Sequence, residues 1–150
     1  NLTNPPSISV KINAKSPTIY FDIKENNLDN SLDNPFIMPS FKGFFVETYS
    51  AEFTDIKEKS DFYVIAEVNT KAKKIEQNEY GLFQVYADGT FSIFDTSTNK
   101  ELYQKSINDV MGADFTSLEG AGRHALKKMV KKLKTKTFNE IITGLDDFSK

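Results

Sequence analysis

Residues 61–72 read DFYVIAEVNTKA, and this run decides the fold. Phe62, Val64, Ala66 and Val68 alternate with Tyr63, Ile65 and Glu67. A period of two is the mark of a β-strand, because successive side chains point to opposite faces. At the start of the run both faces are apolar, which predicts a strand with neighbours on each side. Toward the C-terminus, Tyr80–Ala87, Thr90–Asp95 and Glu101–Asn108 also read as strands. Asp88-Gly89 predicts a hairpin turn between the first two, and the polar Thr96–Lys100 predicts another before the third. Toward the N-terminus, Thr18–Lys24 alternates through Ile19, Phe21 and Ile23, and Ser7–Asn13 does so through Ile8, Val10 and Ile12. These two runs fit a hairpin around 13–17, or strands with different neighbours.

The period changes from two to 3.6 near Ser117. Leu118, Ala121, Ala125, Leu126, Met129, Val130, Leu133 and Ile141 lie on one stripe, which predicts a helix over about Ser117–Ile142. Thr116 and Glu119 match a capping box at its start. Gly120 and Gly122 permit close backbone approach to a sheet, Lys134–Thr137 is a place for a break, and Gly144 reads as a C-terminal stop. Residues 25–40 (ENNLDNSLDNPFIMPS) read as a long ordered loop with at most one helical turn, since Pro35 and Pro39 oppose a long helix. Phe41–Tyr49 reads as an aromatic-rich strand, and Ser50–Ser60 is ambiguous. The expected fold is α+β: an antiparallel or mixed sheet of five to seven strands, with the C-terminal helix across one face. The Leu126, Met129, Val130 and Leu133 stripe should meet Phe62, Val64, Phe91 and Ile93, or their neighbours on the opposite face. Residues 1–7 read as a polar tether, 8–145 as one domain and 146–150 as a tail.

Composition removes many chemistries. Among 150 residues there is no Cys, no Trp and one His, against 13 Phe and 6 Tyr. The missing Cys excludes disulfides, thiol nucleophiles and Cys-based metal sites, and a lone His124 excludes two-His zinc sites within the chain. The aromatic residues are numerous enough to supply much of one core. A net charge of −2 gives no general attraction to nucleic acid. The chain begins with Asn1, which fits the stub left when an export signal or lipid-anchor segment is removed, and equally fits an ordinary frayed terminus.

Charge is unevenly placed. Residues 116–142 hold Arg123, Lys127, Lys128, Lys131, Lys132, Lys134 and Lys136 against Glu119 and Glu140, a net of +5 that leaves −7 for the rest of the chain. Such a face solvates a packed helix, or docks an acidic partner, anionic lipid heads or nucleic acid. His124 has only Gly120, Ala121, Lys127 and Lys128 at helical spacing, so nothing there activates it. The alternations Asp29-Ser31-Asp33 and Asp95-Ser97-Asn99 lack the Gly and the closing Glu of a calcium loop and read as Asx turns. No metal or cofactor site is expected.

Three stretches together resemble a known family. They are SDFYVIAEV at 60–68, FSIFDTSTNKELYQKSI at 91–107 and LEGAGRHALKKMVKKL at 118–133. They are similar to the αβ domain shared by bacterial envelope lipoproteins and assembly accessories: penicillin-binding-protein activators, the curli-secretion lipoprotein, flagellar-assembly accessories and the TolB amino-terminal domain. In that domain a strand opened by a small residue and Asp precedes a strand ending D-x-x-T-(G/N)-K, and an Ala- and Lys-rich helix closes the unit. Ser60 to Tyr63, Asp95 to Lys100 and Gly120 to Leu133 match these elements. The first 60 residues depart from it, because they show no opening strand–helix unit. The resemblance implies an exported, non-enzymatic domain of the bacterial envelope, attached to a membrane only through an anchor outside this chain, that binds another envelope protein. The residues nominated for binding are Lys127, Lys128, Lys131 and Lys132 on the helix, with Phe41, Phe44 and Phe45. A second reading is a small-ligand site between the aromatic segment 41–53 and the loop 25–40. A third is a hydrolase built on paired carboxylates such as Glu25 and Asp29.

Overall fold

The computed structural model describes residues 16–149. The proposed tether 1–7 and the strand over 7–13 lie outside the described residues. The elements are β1 (Thr18–Asn27), β2 (Asn30–Ser31), α1 (Ile37–Tyr49), β3 (Glu52–Phe53), β4 (Phe62–Lys71), β5 (Phe83–Asp95), β6 (Glu101–Asp114), α2 (Leu118–Lys132) and α3 (Phe138–Ser149), with a π-helical turn (Leu133–Thr137) joining the last two. The sheet runs β2-β1-β4-β5-β6, with β3 also on β1. β1 and β4 are parallel, whereas β4–β5 and β5–β6 are antiparallel, so the sheet is mixed and β4 is internal as its two apolar faces require. The helices cover one face. There Ile19, Val64, Phe91 and Ile93 meet Phe41, Phe45, Leu126, Met129 and Leu133 in the core.

Phe41–Tyr49 is helical, not a strand, and it belongs to a helix that begins inside the presumed loop. Ile37, Phe41, Phe44 and Phe45 are the buried residues of α1, at the i, i+4, i+7, i+8 spacing of a helix face. Pro39 sits in the first turn, where its missing N–H costs no intrahelical bond. β1–α1–β4 is therefore the strand–helix opening that the sequence seemed to lack. The remainder of the presumed loop is the end of β1, a two-residue turn and β2. Leu28 (φ 53°) and Asp29 (φ 66°) form that turn, held by bonds from Leu28 N–H to Thr70 Oγ1 (2.9 Å) and from Asp29 N–H to Asn69 Oδ1 (3.2 Å).

Asp88-Gly89 is not a turn. β5 runs straight through it, and the irregularity lies opposite, where β6 bulges between Ile107 and Val110. Asp88 Oδ1 accepts the N–H of Asp109, whose φ is 58°. Gly89 is needed for space, because a Cβ there would stand 2.8 Å from the Phe91 ring. The second turn is as expected: Asp95 Oδ2 accepts from Ser97 Oγ, Thr98 N–H and Thr98 Oγ1 (2.8, 3.0 and 2.6 Å).

α2 starts one residue later than the capping box implied. Ser117 is the N-cap, and its Oγ accepts from Gly120 N–H at 2.9 Å. The break at 133–137 is a π turn that keeps the chain helical. It carries the buried stripe from Leu133 to Phe138, a step of five, and then to Ile141 and Leu145. Gly144 does not stop the helix, and residues 146–149 continue α3 where a tail was expected.

Candidate functional site

α2 lies unusually close to the sheet. A Cβ on Gly112 of β6 would stand 2.2 Å from Ala121 O and Ala125 N, so only glycine fits beneath the helix. At the other side of the helix start, buried Asn27 reaches up from β1. Its Nδ2 donates to Glu119 O (3.0 Å) and its Oδ1 accepts from Thr70 Oγ1 (2.5 Å). Asp114 Oδ2 accepts the N–H groups of Thr116 and Ser117, both at 3.0 Å. These ties fix the first half of α2 against the loop that carries residues 30–36.

Two clefts flank that half-helix. One, of about 440 Å³, opens between Asn30, Ser31, Asp33 and Asn34 on the loop and Arg123 and Lys127 on α2. The other, of about 530 Å³, lies toward Asp114, Thr116, Ser117 and His124 and shares Arg123 and Lys127. The two cations form the ridge between the clefts. The Asn/Asp-rich segment and the basic helix, singled out separately in the sequence, thus face each other. Lys127 Nζ lies 6.0 Å from the Phe36 ring, and Lys128, Lys131 and Lys132 are exposed. Among the described residues Arg123, Lys128, Lys131, Lys132, Lys134 and Lys136 form no ion pair.

The aromatic nominees sit elsewhere. Phe41 and Phe45 are fully buried, and Phe41 packs on Phe91 and Phe138 with centroids 5.8 and 5.3 Å apart. Phe44 stacks on Phe138 at 4.4 Å. They fasten α1 to α3 and the sheet, so Phe41 and Phe45 are corrected to core, whereas Phe44, together with Phe138, also lines a cleft of about 440 Å³ between α1 and α3 that Ser40, Glu47 and Thr48 border. His124 is exposed and uses Nδ1 on the backbone of Ala113, 2.9 Å from the carbonyl oxygen and 3.2 Å from the nitrogen.

The carboxylates proposed as a pair do not converge. Glu25 caps α1 from β1: Oε2 accepts Phe36 N–H (2.7 Å) and Oε1 accepts Ile37 N–H (3.0 Å). Burial pushes its carboxyl above the ordinary range, opposed by those backbone N–H groups. Asp29 accepts instead from Asn69 Nδ2 at 2.8 Å. The cap explains why α1 starts well without a capping side chain at Phe36, and nothing local in the sequence could have shown it. No group of three or more His, Asp or Glu among the described residues is placed to hold a metal ion. No helix among them is long and apolar enough to cross a membrane.

No family model and no curated protein matches this chain. Solved structures do. A candidate lipoprotein from Caulobacter crescentus is similar at TM-score 0.50 and 8% identity, over 83% of this chain and 90% of that one. An uncharacterised lipoprotein B from Nitrosomonas europaea is similar at TM-score 0.45 and 15% identity, over 90% and 85%. The C-terminal domain of LpoB from Salmonella enterica gives TM-score 0.39 and 4% identity, over 67% and 90%. What this chain shares with the Caulobacter crescentus structure is the fold.

Proposed function

We propose that this chain is a non-enzymatic domain of an exported envelope protein of the lipoprotein kind, and that it works by holding another envelope protein against the basic face of α2. The observation that carries the reading is the state of the charges on that face. Arg123, Lys128, Lys131 and Lys132 are exposed and form no ion pair among the described residues, and Arg123 and Lys127 rise between two open clefts. Beside Arg123 and Lys127 the loop places Asn30, Ser31, Asn34 and one carboxylate, Asp33, and α2 adds Glu119, so cations still outnumber carboxylates along this face. An acidic surface would complete the charge, raising association rate and selectivity more than raw affinity. The likeness of fold to a candidate lipoprotein supports the envelope setting.

Two measurements test this. Fractionation of cells expressing the full gene product should recover it with the envelope, and recovery in the cytosol overturns that setting. Affinity capture from solubilised envelopes should lose its specific partner when Lys128, Lys131 and Lys132 are all changed to Glu. Equal recovery by the variant means the lysines only solvate the helix.

A further inference from the structure

β6 ends the sheet, with β5 on one side and no strand on the other among the described residues. We propose that this edge takes up an extended acidic segment of the partner as an added strand, held under a row of lysines on the overlying helix. The proposal rests on α2 being a partner-holding face and specifies the form of the partner.

The helical layer follows this edge along its length. At one end His124 Nδ1 bonds the backbone of Ala113, either its N–H or its carbonyl oxygen according to the ring tautomer. At the other, Glu140 Oε1 accepts from Tyr103 OH (2.7 Å), and a Cβ on Gly144 would stand 3.2 Å from Leu102 O. Both ends of the edge are thus occupied by the chain itself. Four-residue steps from His124 place Lys128 and Lys132 on one helix face between these ends, and Lys136, on the π turn, borders the same cleft as Lys132. Over the middle of the edge a cleft of about 250 Å³ opens, with Lys105, Ser106 and Ile107 on the strand side and Lys132, Thr135 and Lys136 on the helix side.

An edge strand turns unpaired N–H and C=O groups outward and accepts any extended chain that fits. The flanking charge decides which chain does. Lys132 and Lys136 form no ion pair among the described residues, and Lys105 has one long contact, 3.9 Å from Glu140 Oε1. A second copy pairing edge to edge would bring two such sets of lysines together, and like charges oppose that. A strand with carboxylates at every second residue would place all of them on the face below the lysines. The bulge at Asn108-Asp109 breaks regular pairing, so the added strand should centre on residues 104–107.

The test uses the full chain, labelled for amide NMR, and a synthetic peptide of alternating Glu and Val about ten residues long. Binding should shift the amides of 104–107, slow their hydrogen exchange and weaken at high salt. Two control peptides fix the mechanism. Lys in place of Glu should abolish binding. Methylation of alternate backbone nitrogens keeps the charge but removes the donors, and should weaken binding about tenfold or more. Lys132→Glu with Lys136→Glu should weaken the parent peptide similarly while the thermal transition is unchanged. Equal binding of the methylated and parent peptides overturns strand addition while leaving the basic face as a docking surface. Shifts confined to other strands, or equal binding of the Lys peptide, also overturn the proposal.

Discussion

Replacing Gly122 with Ala puts a methyl group into space that Asn27 already fills. The added Cβ would stand 1.8 Å from Oδ1 and 2.7 Å from Cγ of that side chain, so one of the two must move. If Asn27 swings out, the bonds from its Nδ2 to Glu119 O and from Thr70 Oγ1 to its Oδ1 are lost together. Two such bonds among buried groups contribute about 2–3 kcal/mol. Forced repacking adds about 1 kcal/mol or more. Ala over Gly inside a helix returns about 1 kcal/mol. The expected net loss is about 2–3 kcal/mol, read by urea unfolding followed by circular dichroism. The decisive comparison is the same substitution in an Asn27→Ala background. There the obstacle is gone, only the helix preference remains, and Gly122→Ala should stabilise by about 1 kcal/mol. A Gly122→Ala protein as stable as the parent, or one that loses as much without Asn27 as with it, would refute the argument.

Three further outcomes follow from the same reasoning. Gly43 lies inside α1 with nothing within 4 Å of where a Cβ would stand, so Gly43→Ala should raise stability by about 1 kcal/mol in urea, and a loss would show that α1 needs glycine there. The Tyr49 hydroxyl is buried without a hydrogen-bond partner among the described residues, and burial, with Asp146 adding to it, pushes its pKa up to about 12. Tyr49→Phe should therefore be neutral or gain up to about 1 kcal/mol, and a larger loss in thermal unfolding would mean the hydroxyl has a partner. The Thr98 hydroxyl, then Ser97 and the Thr98 N–H, hold the Asp95 carboxyl below its ordinary range. A depressed carboxyl stabilises above its unfolded pKa and loses that as pH falls through the folded one, so the parent should weaken below about pH 4 more steeply than Asp95→Asn. Parallel acid-unfolding curves would remove Asp95 from that role.

How far the fold was legible depended on whether the deciding physics was local. The period of two in 61–72 and the stripe from Ala121 to Leu133 record burial directly, and both elements stand where that pattern puts them. Gly120 and Gly122 were readable as contact glycines because a packed helix has little other use for two of them. Gly89 misled because Asp-Gly also writes a turn, and the reason for this glycine is the Phe91 ring beside it. α1 was lost for a similar reason. Its aromatic content resembles a strand, its prolines resemble a loop, and the group that caps it, Glu25, comes from the end of β1 on the other side of a turn. The basic face was visible as a charge count, whereas its clefts were not. The cleft beside residues 30–36 forms where Asn27 ties the end of β1 to Glu119, a contact across 92 positions of sequence.

The polar groups divide into two sets, and the division bears on function. Glu25 caps α1, Asp114 caps the entry to α2, Asp95 shapes a turn, Asn27 and Thr70 join sheet to helix, and His124 meets the end of β6. Each makes a bond that holds one element of the fold to the next. The lysines of α2 and the π turn are the opposite case. They are exposed, they form no ion pairs among the described residues, and they concentrate on one helix a positive charge that the rest of the sequence more than offsets. Folding gains little from leaving them so, since cations gathered on one helix repel one another. What such an arrangement provides is a standing attraction for a negatively charged surface. It also lies beside β6, which has a strand on one side only among the described residues and so would offer backbone hydrogen bonds to the acidic segment proposed above.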